Sequence, residues 1–380
     1  MEAVNITRVR TGTVAAGIVV ALSLCAALCP ARAARAQRPS RNVVLIVSDG
    51  VRWQDVFTGA DSTYITRVGG GAQDTAALRR DFWRPTASER RHTLLPFIWG
   101  EVAAQRATIW GNHAEGSDAV VTNGFKFSYP GYNELLTGAP DPRIDRNSYP
   151  ANPNVTVFEW LNGRAGFTNR VAAFGTWDAF DRIFNKARAG FLVHSAFDQL
   201  PGPPRAPQPS RALERLYRTT TRQWDNTMSF DAFMQAVVLD YVRAKKPRVL
   251  YLGFGETDEW AHEKRYDLTL RSLHDVDRYV RELWELMQSM PEYRGNTTFI
   301  VTTDHGRGNG TFWTEHGKDV QDAERIWMVM LGAGAPALGE VRNASRVTQS
   351  QVAATVAALL GEDYVAAYPK AAAPLVPVRK

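Results

Sequence analysis

The sequence predicts an α/β protein with a doubly wound, mostly parallel sheet and helices on both faces. Three observations predict it. Five apolar runs are continuous rather than alternating, as strands covered on both faces must be. Helical stretches separate them. The chain of 380 residues is also long enough to bury one large core.

Taken in chain order, the first element lies outside that core. Arg8 and Arg10 precede the apolar stretch GTVAAGIVVALSLCAALC, and ARAARA follows with Ala-x-Ala sites ending at Ala33 and Ala36. The pattern predicts a signal peptide over 1–36, removed on export to the periplasm or medium, and a single domain over 37–380. No later run approaches the roughly 20 apolar residues of a spanning helix. Both cysteines, Cys25 and Cys29, fall within the signal, so the mature chain is expected to fold without thiols or disulfides. Of the formal charge of +6, Arg8, Arg10, Arg32, Arg35 and Glu2 account for half, leaving +3 for the rest. That is a matter of solubility. No basic helix or aromatic-interleaved patch marks a nucleic-acid-binding module.

The strand-like runs are NVVLIVSD (42–49), RVAAFGT (170–176), RVLYLGFGETD (248–258), TTFIVTTDH (ending at His305) and IWMVMLG (326–332). The clearest helix is YDLTLRSLHDVDRYVRELWELMQSM (266–290), with Leu270, Leu273, Val280, Leu283 and Leu286 near helical spacing. TQSQVAATVAALLG reads as a second helix near the C-terminus. The segment 200–211 holds five prolines in twelve residues and reads as an active-site flap or a surface insertion, the second preferred.

Three of these runs lead into metal-ligand residue types: Asp49, Asp258, and Asp304 with His305. The carboxyl ends of strands in an open parallel sheet share one crevice, so residues far apart in sequence are expected to converge there. DEWAH sets Asp258 and His262 one helical turn apart, and His316 follows His305 by eleven residues. Six candidate ligands result: Asp49, Asp258, His262, Asp304, His305 and His316. Two divalent ions need such a set at three protein ligands each. Asp and His without thiolates favour Zn²⁺, with Mn²⁺ as the alternative. Singly, each piece has an ordinary reading, Asp-Gly as a turn and DxxxH as a helix face.

NGFKFSYPGYNELLTG (123–138) offers Ser128 before Pro130 at an expected helix start. A helix N-terminus suits an anionic phosphoryl group, and a metal can activate the hydroxyl for attack. Taken alone, Ser-x-Pro is a commonplace helix N-cap, and that is its ordinary reading. Aromatic residues near the motifs, Trp53, Phe125, Phe127, Tyr129, Tyr132, Trp260 and Trp313, are either packing or a surface for a nucleobase or lipid glycerol. Tyr129 and Tyr132 flank Ser128 and are the preferred substrate contacts.

In order, SDGVRW, FSYPGYNELLTG, GETDEWAH, TTDHGRG and EHG resemble the alkaline phosphatase superfamily, and within it most closely the nucleotide pyrophosphatase/phosphodiesterase-like branch. The resemblance spans most of the expected mature chain and implies an alkaline-phosphatase-like catalytic domain acting on a small phosphate mono- or diester. It implies one metal on Asp258, His262 and His316 and another on Asp49, Asp304 and His305. Ser128 becomes the nucleophile of a phosphoseryl intermediate. An asparagine is expected to hold a phosphoryl oxygen, Asn147 first and Asn123 second, with Lys126 in a similar role.

The departures are informative. Tyr132-Asn133 stands where the phosphodiesterase branch usually carries His-Tyr, and where sulfatases carry an arginine two residues after the proline. A sulfatase is therefore disfavoured. Mutases of the superfamily insert a large domain after the nucleophile, whereas only 129 residues lie between Ser128 and Asp258 here. Envelope-modifying transferases of the superfamily usually carry membrane helices and disulfides, which the mature chain is not expected to have.

Overall fold

The computed structural model describes residue 1 and residues 40–102, 106–198 and 211–376. All but the first residue of the expected signal peptide 1–36, and all but the last residue of the Pro-rich segment 200–211, lie outside the described residues. Strands in chain order are β1 (Asn42–Ser48), β2 (Ala107–Trp110), β3 (Ser117–Val120), β4 (Val171–Gly175), β5 (Leu192–Ser195), β6 (Val249–Phe254), β7 (Thr297–Thr302), β8 (Met328–Gly332), β9 (Gly339–Glu340) and β10 (Ala344–Thr348). Eight form one sheet in the order β5-β4-β6-β1-β7-β8-β2-β9, and β10 pairs with β3.

The central strand explains why its sequence does not alternate. Val44 and Ile46 face a core shared with Leu270, Leu273, Val280 and Leu283 of the helix Tyr266–Ser289. Val43, Leu45 and Val47 face a second core with Leu135, Leu136, Val352 and Val356. Each of Val43–Val47 is at most 1% exposed. Both faces are covered, so every position is apolar. The C-terminal helix Gln351–Leu359 supplies the second layer, inside the stretch the sequence marked.

Strands β5, β4, β6, β1 and β7 are mutually parallel along the sheet. The run 326–332, which the sequence groups with them, differs: β8 is antiparallel to both β7 and β2. The reason lies in its connection. Residues 303–327 contain only a short 3₁₀ turn at Gly310–Phe312 and no crossover helix. The chain therefore stays at the carboxyl end of β7 and re-enters the sheet from that end. This return segment carries Asp304, His305, Arg307 and His316.

Among the described residues no helix is long and apolar enough to cross a membrane.

Candidate metal centre

β1 lies between β6 and β7, and the segments leaving the carboxyl ends of these three strands meet. Asp49 and Gly50 form the turn after β1. Asp258 and His262 lie on the helix Glu256–His262, so Asp258 sits two residues inside a helix rather than at the strand end the sequence suggested. Asp304 and His305 follow β7 after one residue, Thr303. His262 Nε2 is 3.1 Å from Asp258 Oδ2 and 2.9 Å from His316 Nε2. His305 Nε2 lies 3.3 Å from Asp49 Oδ1, 3.5 Å from Asp304 Oδ2 and 3.9 Å from Asp258 Oδ1. The rings of His305 and His316 stack with centroids 4.1 Å apart. All six residues are thus brought into one cluster, with two overlapping groups able to hold an ion: Asp49, Asp304 and His305, and Asp258, His305 and His316.

A single pattern runs through the three carboxylates. Each has one oxygen held by a protein donor. Tyr132 donates its hydroxyl to Asp49 Oδ2 at 2.8 Å, the Gly50 N–H to Asp304 Oδ1 at 3.1 Å, and Arg307 its guanidinium to Asp258 Oδ1. The other oxygens of Asp49 and Asp304 are buried without a hydrogen-bond partner, as is Nδ1 of His316. Buried polar atoms are rarely left so. Hard carboxylate oxygens without a partner, beside imidazole nitrogens, fit divalent cations held through single carboxylate oxygens.

The charges agree. Burial and the neighbouring Asp49 push Asp304 well above the usual carboxylate range. At Asp258 burial opposes ionisation, but the Arg307 guanidinium and His262 hold it well below that range. At His305 burial is outweighed by Asp304 and Asp49, which raise it to about 9. Burial and the adjacent His305 push His316 down to about 2. Asp49, Asp304 and Asp258 converge while buried, where a cation lowers the cost of their proximity. The His305 Nδ1 lies 2.9 Å from the Gly306 carbonyl, which makes Nδ1 the donor and directs Nε2 to the cluster.

Ser128 opens the ten-residue helix Ser128–Thr137 as its first residue. Phe127 is the N-cap and its own side chain makes no capping hydrogen bond, so Ser128 does not act as an N-cap. Its Oγ lies 3.4 Å from His305 Nε2, and the residue is 5% exposed. Helix and return segment touch closely. A Cβ on Gly131 would lie 2.4 Å from the Asp304 carbonyl oxygen. Gly50, at φ +59°, is equally constrained, because a Cβ there would stand 2.2 Å from Asp258 Oδ1.

The expected substrate contacts divide. Asn147 accepts the Tyr129 N–H at 3.0 Å through Oδ1, which places its exposed carboxamide beside the Ser128 helix start. Asn123 is engaged within its own loop: Oδ1 accepts from the Phe125 and Lys126 N–H groups, and Nδ2 donates to Glu134. Lys126 pairs with Glu324 at 2.9 Å. Tyr129 and Tyr132 correct the sequence reading: they are 0% and 1% exposed, so neither offers a ring face to a substrate. The Tyr129 hydroxyl binds the Pro150 carbonyl at 2.7 Å, and Tyr132 holds Asp49. Helical spacing places both rings under the helix, against the second core.

Two contributors were not singled out in the sequence. Thr257 donates to the Asp49 carbonyl at 2.6 Å and meets Ser48 Oγ at 2.9 Å, tying the β1 turn to the Asp258 helix. Arg307 is 2% exposed. Its position inside TTDHGRG was the only signal, and a charged residue in a glycine loop ordinarily reads as solvated.

Comparison with known proteins adds the family. The sequence model of type I phosphodiesterase / nucleotide pyrophosphatase matches residues 72–374. The chain belongs to this family. It is a phosphoric ester hydrolase of the alkaline phosphatase superfamily. The match includes Ser128, Asp258, His262, Asp304, His305 and His316 but begins after Asp49, which only the fold brings to the family's matched segment. No curated protein matches the chain. Among solved structures, a phosphonate monoester hydrolase from Silicibacter pomeroyi is similar at TM-score 0.53 and 15% identity, over 88% of this chain and 75% of that one. One from Agrobacterium radiobacter gives 0.52 and 12%, over 89% and 78%. The C-terminal periplasmic domain of Escherichia coli EptC, in complex with Zn, gives 0.51 and 9%, over 89% and 87%. At these identities the likeness is one of fold, and it matches the family's α/β architecture.

Proposed function

We propose that this chain is an exported hydrolase of phosphate mono- or diesters that uses two divalent metal ions and Ser128 as nucleophile. The observation that carries the reading is the placement of a buried Ser128 hydroxyl 3.4 Å from His305, inside a cluster with partnerless carboxylate oxygens on Asp49 and Asp304. Asp258, His262 and His316 would hold one ion, and Asp49, Asp304 and His305 the other. Zn²⁺ suits the donor set, with Mn²⁺ as the alternative. Bound there, such ions lower the pKa of a hydroxyl or water and offset charge on phosphoryl oxygens.

Ser128 Oγ gives its proton to solvent and attacks phosphorus, forming an Oγ–P bond as the ester P–O bond opposite breaks and the leaving oxygen takes a proton from solvent to depart as the alcohol. Water then attacks the phosphoseryl group, the Oγ–P bond breaks, and Oγ regains a proton. A diester substrate gives a monoester product and a monoester gives phosphate. Asn147, fixed by the Tyr129 N–H, offers its Nδ2 to a phosphoryl oxygen. Tyr132 keeps Asp49 turned so that Oδ1 faces the cluster. The export reading rests on the Arg8/Arg10-flanked apolar run and the two Ala-x-Ala sites.

The test is hydrolysis of chromogenic phosphate monoester, diester and sulfate ester substrates by the chain from Gln37, after chelation and after adding back Zn²⁺ or Mn²⁺. Metal-dependent phosphate-ester cleavage is expected, with the monoester-to-diester ratio fixing the preference. Cleavage of the sulfate ester alone would overturn the assignment.

A further inference from the structure

Arg307 makes more contacts to the ligand-bearing segments than the proposed reaction requires. Its Nε donates to the Gly50 carbonyl at 3.0 Å and Nη1 to the Thr314 carbonyl. Its Nη2 donates to the Asp258 carbonyl at 3.1 Å and to Asp258 Oδ1. Gly50 follows Asp49, Thr314 precedes His316 by two residues, and Arg307 follows His305 by two. One planar group therefore joins four segments that carry candidate ligands. A guanidinium suits the task because its donors point in fixed directions and it keeps its charge when enclosed. With Oδ1 of Asp258 engaged, Oδ2 is left beside His262 at 3.1 Å.

We propose that Arg307 is a positioning residue for the metal at Asp258, His262 and His316. Its fork holds Asp258 to ligation through one oxygen and fixes the Asp258 helix relative to the segment leading to His316. The proposal rests on the two-metal reading above. Charge alone does not meet the need: a lysine keeps the cation but presents a single point donor on a flexible stem, which cannot span Gly50, Asp258 and Thr314 together.

The experiment uses metal-stripped wild type, Arg307→Lys and Arg307→Gln. Each is titrated with Zn²⁺ by calorimetry, its metal-free form is melted by circular dichroism, and its esterase activity is followed against free Zn²⁺. Wild type is expected to take up two ions. Both variants are expected to keep one site at wild-type affinity and to bind the other roughly 10–100-fold more weakly, with turnover recovering as Zn²⁺ is raised. Wild-type zinc affinities in either variant overturn the proposal, as does a lowered melting temperature with unchanged zinc half-saturation, the mark of a purely structural arginine. A zinc-loaded wild-type crystal structure decides the matter even where the variants fail to fold. Asp258 bound through Oδ2 alone with Arg307 on Oδ1 supports the proposal, and chelation through both oxygens with Arg307 displaced overturns it. Wild type that takes up no zinc removes the two-metal reading itself, and this proposal with it.

Discussion

Tyr132 donates its hydroxyl hydrogen to Asp49 Oδ2 at 2.8 Å, across 83 positions of sequence. The contact turns a residue that reads as a substrate contact into a support for a candidate ligand. Tyr132→Phe keeps the ring that packs on Phe180 at 4.9 Å and removes only the hydrogen bond. Asp49 is then free to rotate. Zinc affinity at the Asp49 site is expected to fall roughly 10–100-fold with the fold intact, as read by calorimetry and circular dichroism. Unchanged affinity would show that Asp49 needs no such support.

Ser128→Ala tests the nucleophile directly. The substitution removes one oxygen from a position that makes no capping bond, so fold and metal content are expected to stay. Turnover is expected to drop about 10⁴-fold or more. Turnover within tenfold of wild type would exclude a phosphoseryl intermediate.

Asp304→Ala should behave differently from Ser128→Ala. It removes a fully buried carboxylate that also accepts the Gly50 N–H. Metal content measured by atomic absorption is expected to fall together with activity.

Metal uptake should release a proton. In the metal-free protein Asp304 and Asp49 raise His305 to about 9, so at pH 7 its imidazole is charged, while a metal requires it neutral. His316, pushed to about 2, is already neutral. The sign follows: zinc affinity rises with pH up to about 9 and levels above it. Calorimetry in buffers of differing ionisation enthalpy should find net proton release per His305-site ion at pH 7, from His305 and from Asp304, which burial and Asp49 also raise. Proton-neutral binding would contradict this.

Gly131→Ala probes how closely the Ser128 helix must approach. The added methyl would stand 2.4 Å from the Asp304 carbonyl oxygen, a backbone atom with little room to yield. A loss of about 1–3 kcal/mol in stability is expected from overpacking, with a larger fall in kcat than in metal affinity, because the helix carries Ser128 away from the cluster. Denaturant melts and single-turnover kinetics measure the two effects separately.

What the sequence determined by itself were the local patterns and the chemistry they allow. Continuous apolar runs required strands covered on both faces, and β1 with its two cores is so covered. Asp-x-x-x-His on a helix required Asp258 and His262 to share a face, and they lie 3.1 Å apart. Residue type at the ends of runs selected Asp49, Asp304 and His305, because parallel strands deliver their carboxyl ends to one crevice. The tertiary structure decided what spacing could not. The direction of β8 depends on a return segment that forms no helix. The burial of Tyr129 and Tyr132 depends on which face of their helix meets the sheet. The joining of Gly50, Asp258 and Thr314 by Arg307 depends on three segments far apart in sequence closing around one guanidinium. Such contacts leave no periodicity in the chain, since a hydrogen bond between distant segments fixes neither residue's neighbours.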